Sequence, residues 1–479
     1  MRAPLAPALA FARAFGALSR LRGSGGTSAP GKLLMRLRPD AIGALAKRLT
    51  QGNVVISATN GKTTTAAFTS GILIHHGVSL VHNRAGANMA GGIASTLLAA
   101  AAPRGAVSGD LGLFEVDEYW LGDLVAQLGP RAILLGNLFR DQLDRYGELE
   151  SIAARWAGML DAHPARDARL VLNADDPMVA DLGRTRTQAQ ARGEVPAGEV
   201  LYYGVEDDSL ALAGMAHAAD AKHCRRCGAP YVFDAVYLGH LGHYHCPSCG
   251  QTRPAPMITA SDVALEGVRS ARFTLHTPAG SAEVKLALPG LYNVYNALAA
   301  AALASALEIP LPTIVAGLQA TPPAFGRAES VTLAGRSLSI LLIKNPTGAN
   351  EVLRTLALEP GQHDLLGVLN DNTADGRDVS WIWDADFELL SGRVRRVTCA
   401  GTRAAELAVR LKYAGIDPAA IEIQHNLTTA LDTAVADRPS ASKGADGAPP
   451  PLYALPTYTA MLSLRQLLVA RGEARSAWS

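Results

Sequence analysis

The stretch that most limits what this chain can fold into is Asn53-Val-Val-Ile-Ser-Ala-Thr-Asn-Gly-Lys-Thr-Thr-Thr65, an apolar run that passes through a short polar turn into a helical pattern. A buried strand that feeds a helix at once is the first half of a βαβ unit and calls for a parallel sheet. The turn has the make-up of a phosphate cradle. Its backbone N–H groups and the positive end of the helix dipole face an anion, Lys62 adds a mobile cation, and the Thr63 hydroxyl suits Mg²⁺. Only Gly61-Lys62-Thr63 follows the Walker A pattern, because Ile56 stands where its first glycine belongs. Those three residues alone fit an ordinary helix start with threonine caps equally well. The flanks tip the balance, since Asn53-Val-Val-Ile is a buried-strand run and the helical pattern continues from Thr64 to a stop at Gly77.

From Asn53 to about Gly204 apolar strand candidates alternate with Ala-rich helical segments, the pattern of an α/β, doubly wound and mostly parallel sheet. Such sheets bind ligands at the C-terminal ends of their strands. Polar residues stand there: Leu113-Phe-Glu-Val-Asp-Glu118 closes on three carboxylates, Ala132-Ile-Leu-Leu-Gly-Asn137 runs into Arg140-Asp-Gln-Leu-Asp144, and Val171-Leu-Asn-Ala-Asp-Asp-Pro177 repeats the theme. Glu115 is the candidate Mg²⁺ ligand, because hard cations seek carboxylates beside the phosphates they bridge. A solvated strand end is the plainer alternative. The 479 residues suffice for two or three domains. With Lys+Arg 44 against Asp+Glu 43, no bulk field draws the chain to nucleic acid or to an acidic membrane.

Four of the five cysteines form two Cys-x-x-Cys pairs, which fits a reducing, cytoplasmic compartment better than a disulfide scaffold. Cys224-Arg-Arg-Cys227 and Cys246-Pro-Ser-Cys249, 18 residues apart, are a zinc-ribbon signature, and four thiolates complete a tetrahedral Zn²⁺ site. A closed site of this kind is structural, and His223, His240, His243 and His245 nearby are bystanders. Met1 to Leu21 is Ala-rich, acid-free and dotted with arginine, like a leader, but the arginines interrupt every apolar span. An amphipathic helix packed on the first domain is expected.

Leu288-Pro-Gly opens a helix whose first turns carry Asn293 and Asn296 on one face, where side-chain amides suit an adenine edge. Capping by Asn293 is an equally good account. Further on, Asp371, Asp375, Asp378, Asp384 and Asp386 surround Trp381 and Trp383, too many acids for a core strand, so a loop is expected. Asp437 to Pro451 is a Pro/Ala/Gly-rich loop candidate, and Cys399 a small core residue.

In order, Thr59-Asn-Gly-Lys-Thr-Thr-Thr65, the Glu115 strand end, Asn137-Leu-Phe-Arg-Asp-Gln-Leu-Asp144, Leu288-Pro-Gly-x-x-Asn-x-x-Asn-Ala-Leu-Ala-Ala300 and Gly326-Arg-Ala-Glu329 resemble the motifs of the Mur ligase family. That family forms amide bonds on peptidoglycan precursors with ATP. The resemblance implies ATP and Mg²⁺ as cofactors, with Thr59, Asn60, Gly61, Lys62, Thr63 and Thr64 around the triphosphate. It also implies Thr63 and Glu115 on Mg²⁺, Asn293 and Asn296 toward adenine, and Arg327 reaching ATP from a domain junction. The expected division is an N-terminal helical segment over 1–50, an ATP-binding domain over 51–326 with the ribbon inserted at 221–256, and a C-terminal α/β domain over 327–479.

The sequence departs from the family in ways that select a branch. Gln142 replaces the histidine of amino-acid-adding members, no lysine lies between Lys62 and Lys222, and Ala58 stands where relatives have glycine. Lys344-Asn-Pro-Thr-Gly-Ala-Asn-Glu351 takes the place of the usual Asp-Tyr-Ala-His-x-Pro segment. Leu369 to Asp384 and Thr457-Tyr-Thr-Ala-Met461 are similar to the C-terminal signature of an amidating branch. Its members convert the D-glutamate α-carboxylate of lipid II to D-isoglutamine, with ammonia from a GatD-like class I glutaminase subunit. The resemblance implies Lys62 and Glu115 as catalytic residues. It also implies an aspartate, Asp378 before Asp375, that orients the partner's catalytic histidine, and membrane contact only through lipid II. The alternatives are an amino-acid-adding Mur ligase or folylpolyglutamate synthase, against which Gln142 and the missing lysine speak, and a non-catalytic nucleotide-binding ribbon module.

Overall fold

The computed structural model describes residues 4–21, 28–83, 87–141, 149–193, 198–215, 219–322, 327–436 and 450–474. Its first sheet is built around β1 (Asn53–Ser57), all five residues of which are buried. Val54 and Ile56 enter one apolar layer with Leu113 and Leu134, whereas Val55 enters the other with Phe114 and Ile133. A strand covered on both faces is apolar along its middle, which is why Val54 to Ile56 show no alternation, and the buried ends Asn53 and Ser57 donate to the Leu128 and Val116 carbonyls. Helices Lys62–His75, Leu291–Ala306 and Leu311–Ala320 cover the first layer. Ala90–Ala100, Leu121–Leu128 and Leu149–Asp161 cover the second, joined by the N-terminal helix Leu5–Leu21 through Ala8, Leu9 and Ala12.

On one side of β1 lie β3 (Leu111–Glu115) and then β2 (Leu80–His82); on the other lie β4 (Ala132–Leu135), β5 (Arg169–Asn173) and β6 (Val200–Val205), all parallel. Strand order therefore reverses at β1, and the loops leaving β1, β3 and β4 open a crevice at that switch point. Between β6 and the next strand of the sheet the chain builds a separate hairpin, β7 (Val232–Leu238) and β8 (Leu241–His245), flanked by the two Cys-x-x-Cys pairs. The sheet then resumes with β9 (Ile258–Glu266), parallel to β6, followed by antiparallel β10 (Ser270–Thr277) and β11 (Gly280–Leu286).

A second sheet has the order β12-β13-β17-β14-β15-β16. Its strands are β12 (Arg327–Leu333), β13 (Arg336–Leu341), β14 (His363–Val368), β15 (Val394–Ala400), β16 (Ile421–Ile423) and β17 (Leu452–Pro456). Only β12 is antiparallel to its neighbour. Cys399 is fully buried on β15, and the acid-rich stretch after β14 is a loop broken by two short 3₁₀ turns. The proline- and alanine-rich stretch expected as a loop before β17 lies outside the described residues over 437–449. Among the described residues no helix is long and apolar enough to cross a membrane.

Candidate functional site

The turn after β1 is braced by the loop after β4. The Thr59 N–H donates to the Asn137 carbonyl at 2.9 Å, the Asn60 N–H to Asn137 Oδ1 at 2.9 Å, and Asn137 Nδ2 returns a bond to the Asn60 carbonyl at 3.0 Å. The Phe139 N–H donates to Thr59 Oγ1 at 3.1 Å. Gly61 then adopts φ +85°, a left-handed conformation open to glycine, and ends the turn at helix Lys62–His75. A Cβ on Gly61 would lie 1.9 Å from Asn296 Oδ1, so the turn also needs glycine for lack of room. The Ala58 methyl lies against the bare backbone of Gly136, where an added Cβ would come within 2.9 Å of it. The first helical N–H groups, which have no acceptor within the helix, form a cradle of the kind that binds phosphate.

Three carboxylates close the bottom of the crevice. Glu115, Asp117 and Glu118 are 3%, 4% and 6% exposed, and Asn83 fixes the backbone of Glu115 with a bond at each side, 2.8 and 3.0 Å. Lys62 lies among them, its Nζ 2.9 Å from Glu118 Oε2 and within reach of the Ala58 and Thr59 carbonyls. Burial alone pulls the Lys62 pKa down, but the charges of Glu118, Glu115 and Asp117 outweigh it and hold the ammonium above its ordinary value. Three buried acids against one lysine leave a negative excess that suits a divalent cation. Sequence reasoning singled out Glu115 alone, while Glu118 is the one that grips Lys62.

The opposite wall comes from the second sheet. Helix Pro346–Ala357 points its N-terminus at the turn, capped by Asn345, whose Oδ1 accepts the Gly348 N–H at 2.8 Å. Asn345 and Asn60 exchange side-chain bonds at 3.0 and 3.3 Å. Lys344 Nζ reaches the Thr59 carbonyl at 3.3 Å and pairs with Asp141. A second lysine is thus brought to the turn from the departing Lys344–Glu351 segment. The cleft between these walls holds about 830 Å³ of empty space, its open mouth included, and is largely apolar away from the turn, with Phe139, Leu238, Leu241, Tyr292 and Tyr295 on its sides.

Asn296 lines this cleft, but its amide is already engaged: Nδ2 donates to Asn293 Oδ1 at 3.1 Å, and Oδ1 accepts from Thr65 Oγ1 at 3.3 Å. Asn293 Nδ2 donates to the Pro289 carbonyl at 2.7 Å. Thr64 lines the cleft and Thr63 follows Lys62 in the first helical turn. Gln142 and the Arg327 side chain lie outside the described residues, although Arg327 begins β12.

The four ribbon cysteines converge, with all four sulfurs within 4.8 Å of one another. The backbone N–H groups of Cys249 and Ser248 aim at the Cys246 sulfur and lower its pKa to about 6. For Cys249 the Gln251 N–H favours the thiolate, but loss of solvent and the hydrogens shared with Cys224, Cys246 and Cys227 push its pKa up to about 12. Four thiolates together need a cation, and this donor set fits Zn²⁺. None of the nearby histidines joins the cluster.

In the acid-rich loop the two candidate aspartates take different places. Asp375 is 4% exposed, and both its oxygens accept from Thr459, Oδ1 from the N–H at 2.7 Å and Oδ2 from the hydroxyl. It therefore caps helix Tyr458–Ala470 and is turned inward. Asp378 is exposed, and the Ser380 N–H and hydroxyl hold its carboxyl below the ordinary range. Trp383, 52% exposed, and Tyr413, 71% exposed, pack on each other with ring centroids 5.9 Å apart.

Comparison with known families matches residues 56–219 to the Mur ligase middle domain and residues 342–461 to the MurT ligase C-terminal domain. The MurT subunit of the lipid II isoglutaminyl synthase (glutamine-hydrolyzing) of Streptococcus pneumoniae is 33% identical over 457 residues, 95% of this chain and 94% of that one. The corresponding subunit of Staphylococcus aureus (strain N315) is 32% identical over 402 residues, covering 83% and 85%. In fold, the chain is similar to the MurF ligase of Thermotoga maritima in complex with ADP, with a TM-score of 0.58, 15% identity, and coverage of 92% and 85%.

Proposed function

The chain belongs to the MurT family of Mur-ligase-fold subunits, and from that premise we propose that it is the ligase subunit that amidates lipid II. ATP would phosphorylate the D-glutamate α-carboxylate, releasing ADP and leaving an acyl phosphate. Ammonia would then attack the acyl carbon and expel phosphate, giving D-isoglutamine. The observation that carries this reading is the meeting of Lys62 and Lys344, from two different sheets, at one phosphate turn. Phosphoryl transfer is catalysed mainly by positioning and charge neutralisation, and two cations with a helix N-terminus on either side of the turn supply both.

In this reading Gly61 to Thr64 cradle the triphosphate and Arg327 approaches it from β12. Thr63 and Glu115, supported by Glu118, would hold Mg²⁺, which neutralises phosphate charge when bound. Asn293 and Asn296 would face the base once their mutual bonds give way. The ribbon cysteines hold Zn²⁺ in a structural site. Two domains, 51–326 and 327–479, with the segment 1–50 packed on the first, would close around the nucleotide.

The words "glutamine-hydrolyzing" in the names of the relatives support ammonia delivery by a class I glutaminase of the GatD type. Ammonia must arrive unprotonated, so local generation beside the acyl phosphate is chemically sensible. Asp378, exposed on its loop, is the carboxylate we assign to orient the partner's histidine, where a carboxylate fixes the tautomer and stabilises imidazolium. The protein would work at the cytoplasmic membrane face, where its lipid-linked substrate is anchored.

Purified protein supplied with lipid II, ATP and either ammonium or free amino acids tests the reading. Amide formation from ammonium, abolished by Lys62→Ala, is expected. Addition of a free amino acid, or nucleotide binding with no product, refutes it.

A further inference from the structure

We propose that the tip of the ribbon hairpin, Leu238 to Leu241, is the base-binding wall of the nucleotide cleft, so that the zinc ribbon sets nucleotide affinity from a distance. The inference rests on reading the cleft as a nucleotide site and adds an element that a structural zinc module does not require.

The tip is wedged between both walls of the cleft. Gly239 turns the hairpin at φ +60°, and a Cβ there would lie 2.9 Å from the Phe139 ring and 3.2 Å from the Thr347 methyl. Phe139 belongs to the loop after β4, and Thr347 to the first turn of helix Pro346–Ala357, so the tip touches both halves at once. The His240 ring is fully buried against Phe139, centroids 4.7 Å apart, with Nε2 3.4 Å from Asp176 Oδ2. Leu238 and Leu241 are 4% and 1% exposed and face the cleft beside Tyr292 and Tyr295, on the apolar side that a planar base requires.

The same hairpin is tied to the cleft through one buried carboxylate. Asp175 Oδ1 accepts Arg253 Nε at 2.6 Å, and Oδ2 accepts the Tyr295 hydroxyl at 2.7 Å and the Val205 N–H at 2.9 Å. The Gly242 N–H donates to the Asp175 carbonyl at 3.0 Å. Arg253 leaves the second cysteine pair, Gly242 follows the tip, and Tyr295 lines the cleft, so Asp175 joins ribbon and cleft. Among the described residues the hairpin joins no larger sheet; its tip half packs into the first core through Ala235, Tyr237, Leu238 and Leu241, while the end that carries the cysteines lies outside that core. The four sulfurs close its far end, about 20 Å from the tip by strand rise. Cys224, Cys227, Cys246 and Cys249, held together by a bound Zn²⁺, would fix the end of the two strands from which Leu238 and Leu241 extend.

The test compares ATP with inorganic tripolyphosphate, which offers the phosphates without the base, as ligands of the full chain. Leu241→Ala should weaken ATP roughly tenfold and leave tripolyphosphate unchanged, with zinc content as in the wild type. A zinc chelator should have the same selective effect. Hydrogen exchange of the wild type needs no variant: ATP should protect amides 238–242, and tripolyphosphate should not. Equal loss of both ligands, or absence of ATP protection at the tip, overturns the inference while the nucleotide reading stands. If the wild type binds neither ligand, the nucleotide reading itself falls, and this inference with it.

Discussion

Substituting Gly61 by alanine probes whether the turn after β1 and the asparagine pair form one rigid unit. Two costs follow from the geometry. The left-handed backbone at φ +85° and ψ −8° penalises any residue with a Cβ, by about 1–2 kcal/mol. The new Cβ would stand 1.9 Å from Asn296 Oδ1 and 2.9 Å from its Cγ, so the amide has to swing away. That breaks its bonds to Thr65 Oγ1 and Asn293 Oδ1, worth about 1 kcal/mol each. The expected destabilisation is therefore about 3–4 kcal/mol. In an Asn296→Ala background the second cost disappears, leaving about 1–2 kcal/mol and a coupling energy of about 2 kcal/mol. Urea unfolding followed by tryptophan fluorescence reads this out, because Trp156 is 1% exposed in the helical layer on the opposite face of the same sheet. An equal cost of Gly61→Ala in both backgrounds would refute the argument that Asn296 makes glycine necessary.

Lys344→Met should lower ammonium-fed amidation by about a hundredfold and, by leaving Asp141 without its cation, lower stability by about 1–3 kcal/mol, as steady-state rates and urea unfolding would show. Asp378→Asn should spare the ammonium reaction and damage the glutamine-fed one; normal use of glutamine would remove Asp378 from its assigned role. Asp375→Ala should instead lower folding stability by about 1–2 kcal/mol, read by urea unfolding, since both oxygens serve Thr459. His363 is 3% exposed, and burial pushes its pKa below the ordinary value, so the fold keeps the ring neutral. Its contribution is complete above the unfolded value of about 6.5 and is lost as pH falls below that toward the folded value, at no more than about 1.4 kcal/mol per pH unit. Urea titrations at pH 7 and pH 5.5 should show the loss, and His363→Gln should flatten it.

Several site elements were legible because their signals are local. The β1 run, the Gly61 turn, the Glu115 strand end and the paired cysteines each lie within a few residues, and the period and turn chemistry of one segment suffice to place them. Less legible was the choice among like residues. Glu115, Asp117 and Glu118 look alike in sequence, yet Glu118 holds Lys62 because the chain turns after β3 and carries it back over the helix start. Asp375 and Asp378 are three positions apart in one loop, and only the position of Thr459, 84 residues away, turns the first inward. Ala58 stands where relatives have glycine, and its methyl lies against the bare backbone of Gly136 on the neighbouring loop, a contact no local pattern announces.

By itself the sequence determined the layered α/β architecture, the strand-to-helix turn at Gly61 and the four-cysteine insert, because apolar periodicity, left-handed glycine and thiolate spacing are properties of short segments. Only the tertiary structure decided what faces that turn. Lys344 stands 285 residues beyond the Thr59 carbonyl it reaches, and the ribbon tip comes to Phe139 and Thr347 from an insertion that no local pattern links to either. Such contacts are fixed by how two sheets and a hairpin pack against one another, and packing depends on the whole surface of each element.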